Sequence, residues 1–315
     1  MNQSKILTEG AMLTAIYIIL LLIAAFVPVI TIVATFLLPV PFIIFASRHN
    51  WKPSLLMFGV AVVLSILFAT IVSLPLTVLM GLGGIMLGSA IHKKLPAYET
   101  WGRGTIGFVV GLLFIFVFSQ FVLQVNLMNE IDQILNQYVQ TVKDLMEQFG
   151  LMDQAEEQVE LLEQQIGMLS TLVPAGIAFI GIFMAFIGQW VSYKVINRLD
   201  SKDLGFPPFR MLRLPVSLVW IYFFALIFTF FELDPSSTLY LAVNNVMIVA
   251  GMLMTLQGLS FIFFYAHQKN KSKALPVVSV ILTILFPFFF LYFVRLLGII
   301  DIGFSLRDRI SKGKN

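Results

Sequence analysis

The chain contains no cysteine, which excludes disulfides, thiolate catalysis and cysteine-ligated metal sites. Charge is scarce: only 12% of the 315 residues are Asp, Glu, Lys or Arg, against about 25% in soluble domains. No GxxxxGK[ST] loop is present, so the chain holds no nucleotide through a Walker site. No HExxH occurs, which excludes that kind of zinc protease. No paired acids lie deep in an apolar run, as an aspartyl intramembrane protease would need, and no ladder of arginines suggests a voltage sensor. The three histidines, His49, His92 and His267, fall in separate basic segments and not in a metal-like cluster. These absences predict a protein that is not an enzyme, with no cofactor, no metal and no nucleic-acid partner.

What is abundant is apolar surface. Hydrophobic residues make up 59% of the chain and the mean hydropathy is +0.93. Apolar runs recur at Ala11–Ala46, Leu55–Ile91, Ile106–Val125, Leu172–Tyr193, Leu214–Phe231, Leu239–Ala266 and Leu275–Ile300. A hydrocarbon core about 30 Å thick needs about 20 apolar residues in a helix, so several runs hold one span and two hold a pair. The expected fold is all-α: a polytopic transmembrane bundle of about eight or nine spans, with lipid as its main solvent. Spans are expected near 10–28, 31–47, 54–72, 74–92, 104–126, 170–194, 212–231, 239–266 and 275–298. The first apolar run is far longer than a signal-peptide core and no small-residue cleavage site follows it, so it reads as an uncleaved span. Pro28, Pro39, Pro41, Pro75 and Pro287 interrupt the runs.

The connections alternate in charge. Arg48, His49 and Lys52 follow the second span; His92, Lys93, Lys94 and Arg103 the fourth; Lys194, Arg198, Lys202, Arg210 and Arg213 the sixth; His267, Lys269, Lys271 and Lys273 the eighth. The other connections are nearly free of Lys and Arg. Basic loops mark the cytoplasmic side, which predicts a plasma-membrane protein with its N-terminus in the cytoplasm. Nine spans would then put the tail outside, against its Arg307, Arg309, Lys312 and Lys314. Pro287, midway in the last run, offers one way out: two half-helices that return to the inside. Alternatively, the tail is an exception, or its SLRDRI segment lies along the interface.

Segment 126–169 carries nine acids, Glu130, Asp132, Asp144, Glu147, Asp153, Glu156, Glu157, Glu160 and Glu163, against Lys143 alone. Leu127, Ile131, Ile134, Tyr138, Leu145 and Phe149 keep a rough three-four spacing, and Ala155, Val159, Leu162, Ile166 and Leu169 a strict one. Gly150 ends the first stretch and Asp153 is placed to cap the second. The reading is an extracytoplasmic helical hairpin whose arms continue the flanking spans. The expected organisation is a membrane bundle at 1–126, the acidic hairpin at 127–169, further spans at 170–300 and a basic tail at 301–315.

Small residues let helices approach closely in lipid. Ala11 and Ala15 form AxxxA on the first span; Gly81, Gly84 and Gly88 lie on the fourth; Gly104, Gly107 and Gly111 on the fifth. Polar groups in lipid are costly when unpaired and mark candidate sites. Gln120, Gln124, Glu232, Asn244 and Asn245 all fall at a similar expected depth near the outer ends of their spans, and together they are the candidate ligand site. Amides beside a carboxylate suit a polar small molecule better than a simple anion; the plainer alternative is helix–helix hydrogen bonding. Gln189, Trp190 and Arg295 are read as interfacial.

The opening TEGAMLTAIYIILL, with its Ala11-xxx-Ala15, and the GLGGIMLG of the fourth span resemble the substrate-capture (S) components of energy-coupling factor transporters. The whole chain, including RLP at Arg213–Pro215 and the closing LLGIIDIGFSLRDR, resembles the YybS-like family of uncharacterised membrane proteins of Gram-positive bacteria. The resemblance to S components implies that Ala11 and Ala15 contact a coupling membrane subunit, which works with separate ATPases. S components have six spans, and this chain adds the hairpin and further spans. Two functions follow as expectations: a substrate-binding component of a vitamin-like small-molecule transporter, or a membrane scaffold that recruits cell-envelope partners.

Overall fold

The computed structural model describes residues 3–28, 30–235 and 237–312, leaving aside the side chains of 152–156 and 312. Every regular element among these residues is helical. The chain forms two units, Met1–Gly205 and Phe206–Asn315.

The first unit contains α1 (Gln3–Phe26), α2 (Thr31–Leu37), α3 (Val40–His49), α4 (Trp51–Ala69), α5 (Leu74–His92), α6 (Ala97–Phe121), α7 (Leu127–Gln148), α8 (Met152–Leu169) and α9 (Val173–Asp200). Pro39 cannot donate a backbone hydrogen bond, and the helix of the second span is interrupted there between α2 and α3. The predicted small-residue contacts form. A Cβ on Gly84 would lie 2.9 Å from the Pro39 carbonyl oxygen, and one on Gly88 2.5 Å from that of Ile43, so α3 lies directly on α5. Gly104, Gly107 and Gly111 do the same for α6 against Leu87, the Leu82 carbonyl and Leu79 of α5. Gln189 is fully buried; its amide donates to the Ala97 carbonyl (2.9 Å) and to the Tyr193 hydroxyl (2.7 Å), joining α9 to the start of α6.

The acidic segment is a helical hairpin, with Gly150 in the left-handed conformation (φ +65°) at its turn. Asp153 and Ala155 lie outside the residues whose side chains are described. The seam differs from the expected stripe. Ile131, Leu135, Val139, Val142 and Met146 of α7 are the residues turned inward, against Val159, Leu162 and Ile166 of α8. Ile134, Tyr138, Leu145 and Phe149 stay exposed. Helix α7 is nearly apolar on two neighbouring stripes, and spacing alone did not say which one meets α8. Lys143 pairs with Glu163 at 2.5 Å, and the Ser170 hydroxyl donates to Asp132. Only one arm continues a span: α8 passes through a 3-10 turn into α9, whereas Val122–Asn126, with Gln124 left-handed (φ 56°), separates α6 from α7.

The second unit is built around α11 (Thr238–Gln268), with α10 (Ser217–Phe228), α12 (Ala274–Leu285), α13 (Pro287–Gly303) and α14 (Leu306–Lys312). Helices α10 and α12 have 12 residues each, about 18 Å, well short of a hydrocarbon core. The last apolar run breaks at Phe286 (φ −127°, ψ 61°), just before Pro287. Gln257 meets Asp301 and Ser260 meets Arg307, so α13 runs parallel to α11. The run leaves the end where α11 finishes and comes back to it as two half-helices, in the way Pro287 allowed. In the tail segment, Arg307 is buried against the unit.

Candidate functional site

The five candidate ligand residues divide between the units. Gln120 and Gln124 belong to the first, where both are exposed at the end of α6. Glu232, Asn244 and Asn245 belong to the second. Glu232 and Asn244 line one pocket of about 360 Å³ with Thr229, Phe231, Leu233, Tyr240 and Val243. Residues i and i+1 on a helix point about 100° apart, and Asn245 accordingly turns inward. It is 5% exposed and donates to the Leu241 carbonyl at 2.8 Å, so it serves the helix and does not line this pocket. The pocket offers a carboxylate and an amide over an apolar floor, which suits hydroxyl, amine or amide groups of a small polar molecule.

Ala11 and Ala15 lie on the exposed side of α1. Gly10, Leu13, Thr14, Tyr17, Ile18 and Leu21 face the unit's interior, and the Tyr17 hydroxyl donates to Thr77 at 2.9 Å. The opposite face is apolar and uncovered, with Leu7, Met12 and Ile19 each more than half exposed beside the two alanines.

Two polar clusters went unrecognised in the sequence. In the first unit, Arg48 pairs with Glu9 and with Asp200, its Nε reaching Asp200 Oδ2 at 3.3 Å. His49 Nε2 lies 2.8 Å from Glu9, and Lys202 3.4 Å from Asp200. The start of α1 and the ends of α3 and α9 therefore share one end of the unit. In the second unit, Arg307 Nε donates to Asp301 at 2.8 Å, and its other nitrogens donate to the Arg210 carbonyl (2.7 Å) and the Ser260 hydroxyl (3.1 Å). Gln257 donates to Asp301 (2.6 Å) and accepts from the Leu214 backbone (3.0 Å). These bonds pin the Arg213–Pro215 segment to α11 and α13 around a cavity of about 130 Å³. Burial pushes the Arg307 guanidinium below its usual range, and the Asp301 carboxylate opposes that shift. Read in sequence, Arg48 and Arg307 counted only as basic loop and tail residues. The available signal was an acid, Glu9, Asp200 or Asp301, at the end of each apolar run.

Among the described residues, seven helical segments are long and apolar enough to cross a membrane, with α2 and α3 counted as one. They define a polytopic α-helical membrane protein. The chain belongs to the family of predicted membrane proteins designated DUF2232, whose model matches residues 15–302. It is 31% identical over 313 residues to the uncharacterized protein YybS of Bacillus subtilis (strain 168), covering 98% of this chain and 100% of that relative. No solved structure matches it.

Proposed function

We propose that the protein is the substrate-binding component of a small-molecule, vitamin-like transporter of the plasma membrane, energised by separate subunits. The N-terminus lies in the cytoplasm, on the strength of the Lys/Arg bias of alternate loops. The observation that carries this reading is the exposed stripe of α1. The paired glycines at 84/88 and the triplet at 104/107/111 are filled by a neighbouring helix, whereas Ala11 and Ala15 present the same kind of close-approach surface to nothing in their unit. A coupling membrane subunit is the partner such a stripe fits. The pocket at Glu232 and Asn244 supplies the ligand-facing chemistry, and the proline-broken last run is the kind of discontinuity that transporter sites use.

The test is affinity purification of the tagged protein from native membranes, with wild type beside an Ala11→Leu/Ala15→Leu double variant. Wild type is expected to recover a membrane subunit with ATPases. The variant, whose changed side chains face away from the unit's core, is expected to fold and insert but lose them. Recovery of the same partners by both removes the docking face.

The second reading, a scaffold for cell-envelope proteins, is favoured by the exposed Ile134, Leu145 and Phe149 of the acidic hairpin. Under it, deletion of 128–168 abolishes partner recruitment; under the transporter reading, the deletion leaves uptake in place.

A further inference from the structure

Helix α13 carries a cation that no carboxylate among the described residues neutralises. Arg295 lies against Gly251 of α11, where an added Cβ would be 2.9 Å from the guanidinium carbon. Gly251 is 13 residues, about 20 Å, from Thr238 at one end of α11, and 17 residues, about 26 Å, from Gln268 at the other. The guanidinium is therefore remote from both ends of the unit's longest helix. Its Nη1 reaches the Tyr222 hydroxyl only at 3.4 Å, and its Nε is buried without a partner. The rings of Tyr222 and Tyr292 lie 5.8 and 5.6 Å from it. Asp301, six residues on, is about 9 Å further along α13 and is already taken by Arg307 and Gln257.

An arginine inside a membrane span is costly, and such residues pair with one another or mark a pathway. The contrast with Arg307 is direct, because that guanidinium has a carboxylate, a hydroxyl and a carbonyl around it. The donors left over on Arg295 have the fork geometry that a carboxylate or phosphate matches with two parallel bonds. The surroundings are apolar and open to lipid: Tyr292 is 70% and Leu296 53% exposed. We propose that Arg295 is the receptor for an oxyanion, a carboxylate or phosphate, borne by a molecule with an apolar body that approaches through the lipid-facing side of α13. Gly251 is the cradle that leaves room for the guanidinium, and the Tyr222 hydroxyl orients it. This site is distinct from the pocket at Glu232, whose negative charge favours the opposite kind of group. It stands whether or not the protein works with a coupling subunit.

The test uses the full chain in a neutral maltoside detergent, with thermal unfolding followed by tryptophan fluorescence. The probes are dodecyl phosphate, decanoate and phosphatidylglycerol, each beside a neutral or zwitterionic counterpart (dodecanol, decanol, phosphatidylcholine). At least one anionic probe is expected to raise the wild-type Tm by about 2–4 °C, its counterpart leaving it unmoved. Arg295→Lys is expected to keep part of the rise and Arg295→Gln none. A response to dodecyl phosphate or decanoate alone identifies a small amphiphilic acid; a response to phosphatidylglycerol identifies a membrane lipid. Without probe, Arg295→Gln is expected to melt no lower than wild type, because an unneutralised charge is gone. Should Arg295→Gln fail to fold, Gly251→Ala, which displaces the guanidinium, is expected to weaken the probe response relative to Arg295→Lys. A wild type unmoved by all three probes, or equal responses from wild type and the Arg295 and Gly251 variants, overturns the proposal.

Discussion

The two units solve the same packing problem differently. In the first, full-length helices meet through glycines spread over α5 and α6, and several of these face side chains that can move: a Cβ on Gly104 would strike Leu87, and one on Gly81 would strike Phe58. In the second, one long helix, α11, carries four shorter ones, and the closest approach is a single crossing. There a Cβ on Gly258 would lie 1.9 Å from the Val294 carbonyl oxygen, and one on Gly298 1.9 Å from that of Met254. Backbone cannot rotate away as a leucine can. Charge follows the same division. The Glu9–Arg48–Asp200 cluster keeps about a fifth of each side chain in contact with solvent, whereas Asp301 and Arg307 are 2% and 3% exposed. The first unit has many partial supports; the second depends on a few contacts that have no substitute.

The difference has measurable consequences. Gly258→Ala or Gly298→Ala is expected to cost about 3 kcal/mol or more, seen as loss of the monodisperse species in detergent, because α11 and α13 must separate. Gly104→Ala, opposed by a mobile leucine, is expected to cost about 1 kcal/mol. Equal losses at both sites would erase the distinction. The next effect is electrostatic. Asp301→Ala leaves Arg307 buried without its carboxylate and is expected to cost about 3–5 kcal/mol. Asp200→Ala leaves Arg48 paired with Glu9 and partly hydrated, and is expected to cost about 1 kcal/mol or less. Thermal unfolding of the two variants side by side checks the ratio. An Asp301 variant as stable as wild type would mean that the buried pair does not hold the Arg213–Pro215 segment in place.

Much of the fold was legible in the sequence. Apolar run lengths gave the class, and six helices, α1, α4, α5, α6, α9 and α11, each occupy one expected span. Pro39 and Pro287 marked the two breaks, because proline removes a backbone donor wherever it falls. The glycine contacts of α5 and α6 were also readable, since only a residue without a side chain permits that approach. Three things were not. The seventh expected span is shorter than its run, because α10 stops at Phe228. The hairpin seam shifted from Ile134 and Tyr138 to Leu135 and Val139, one position around a helix with two usable stripes. The polar clusters join residues 39, 152 and 47 positions apart, Glu9 with Arg48, Arg48 with Asp200 and Ser260 with Arg307, and nothing in local spacing reports such pairs. Of the candidate site, Glu232 and Asn244 do share a pocket, while Asn245, included for its similar depth, turns inward to the Leu241 carbonyl.

The second unit is organised around α11, with the last apolar run leaving and returning at the same end. The absence of cysteine makes this directly testable, because any introduced thiol is the protein's sole thiol. Thr238→Cys, Ser272→Cys and Ser311→Cys variants, each labelled with a membrane-impermeant maleimide in intact cells and again after lysis, place the start of α11, the loop after it and the tail. The expected result is that Ser272→Cys and Ser311→Cys label on one side and Thr238→Cys on the other. Labelling of Ser311→Cys together with Thr238→Cys would show that the last run crosses the membrane once, and would contradict the two half-helices.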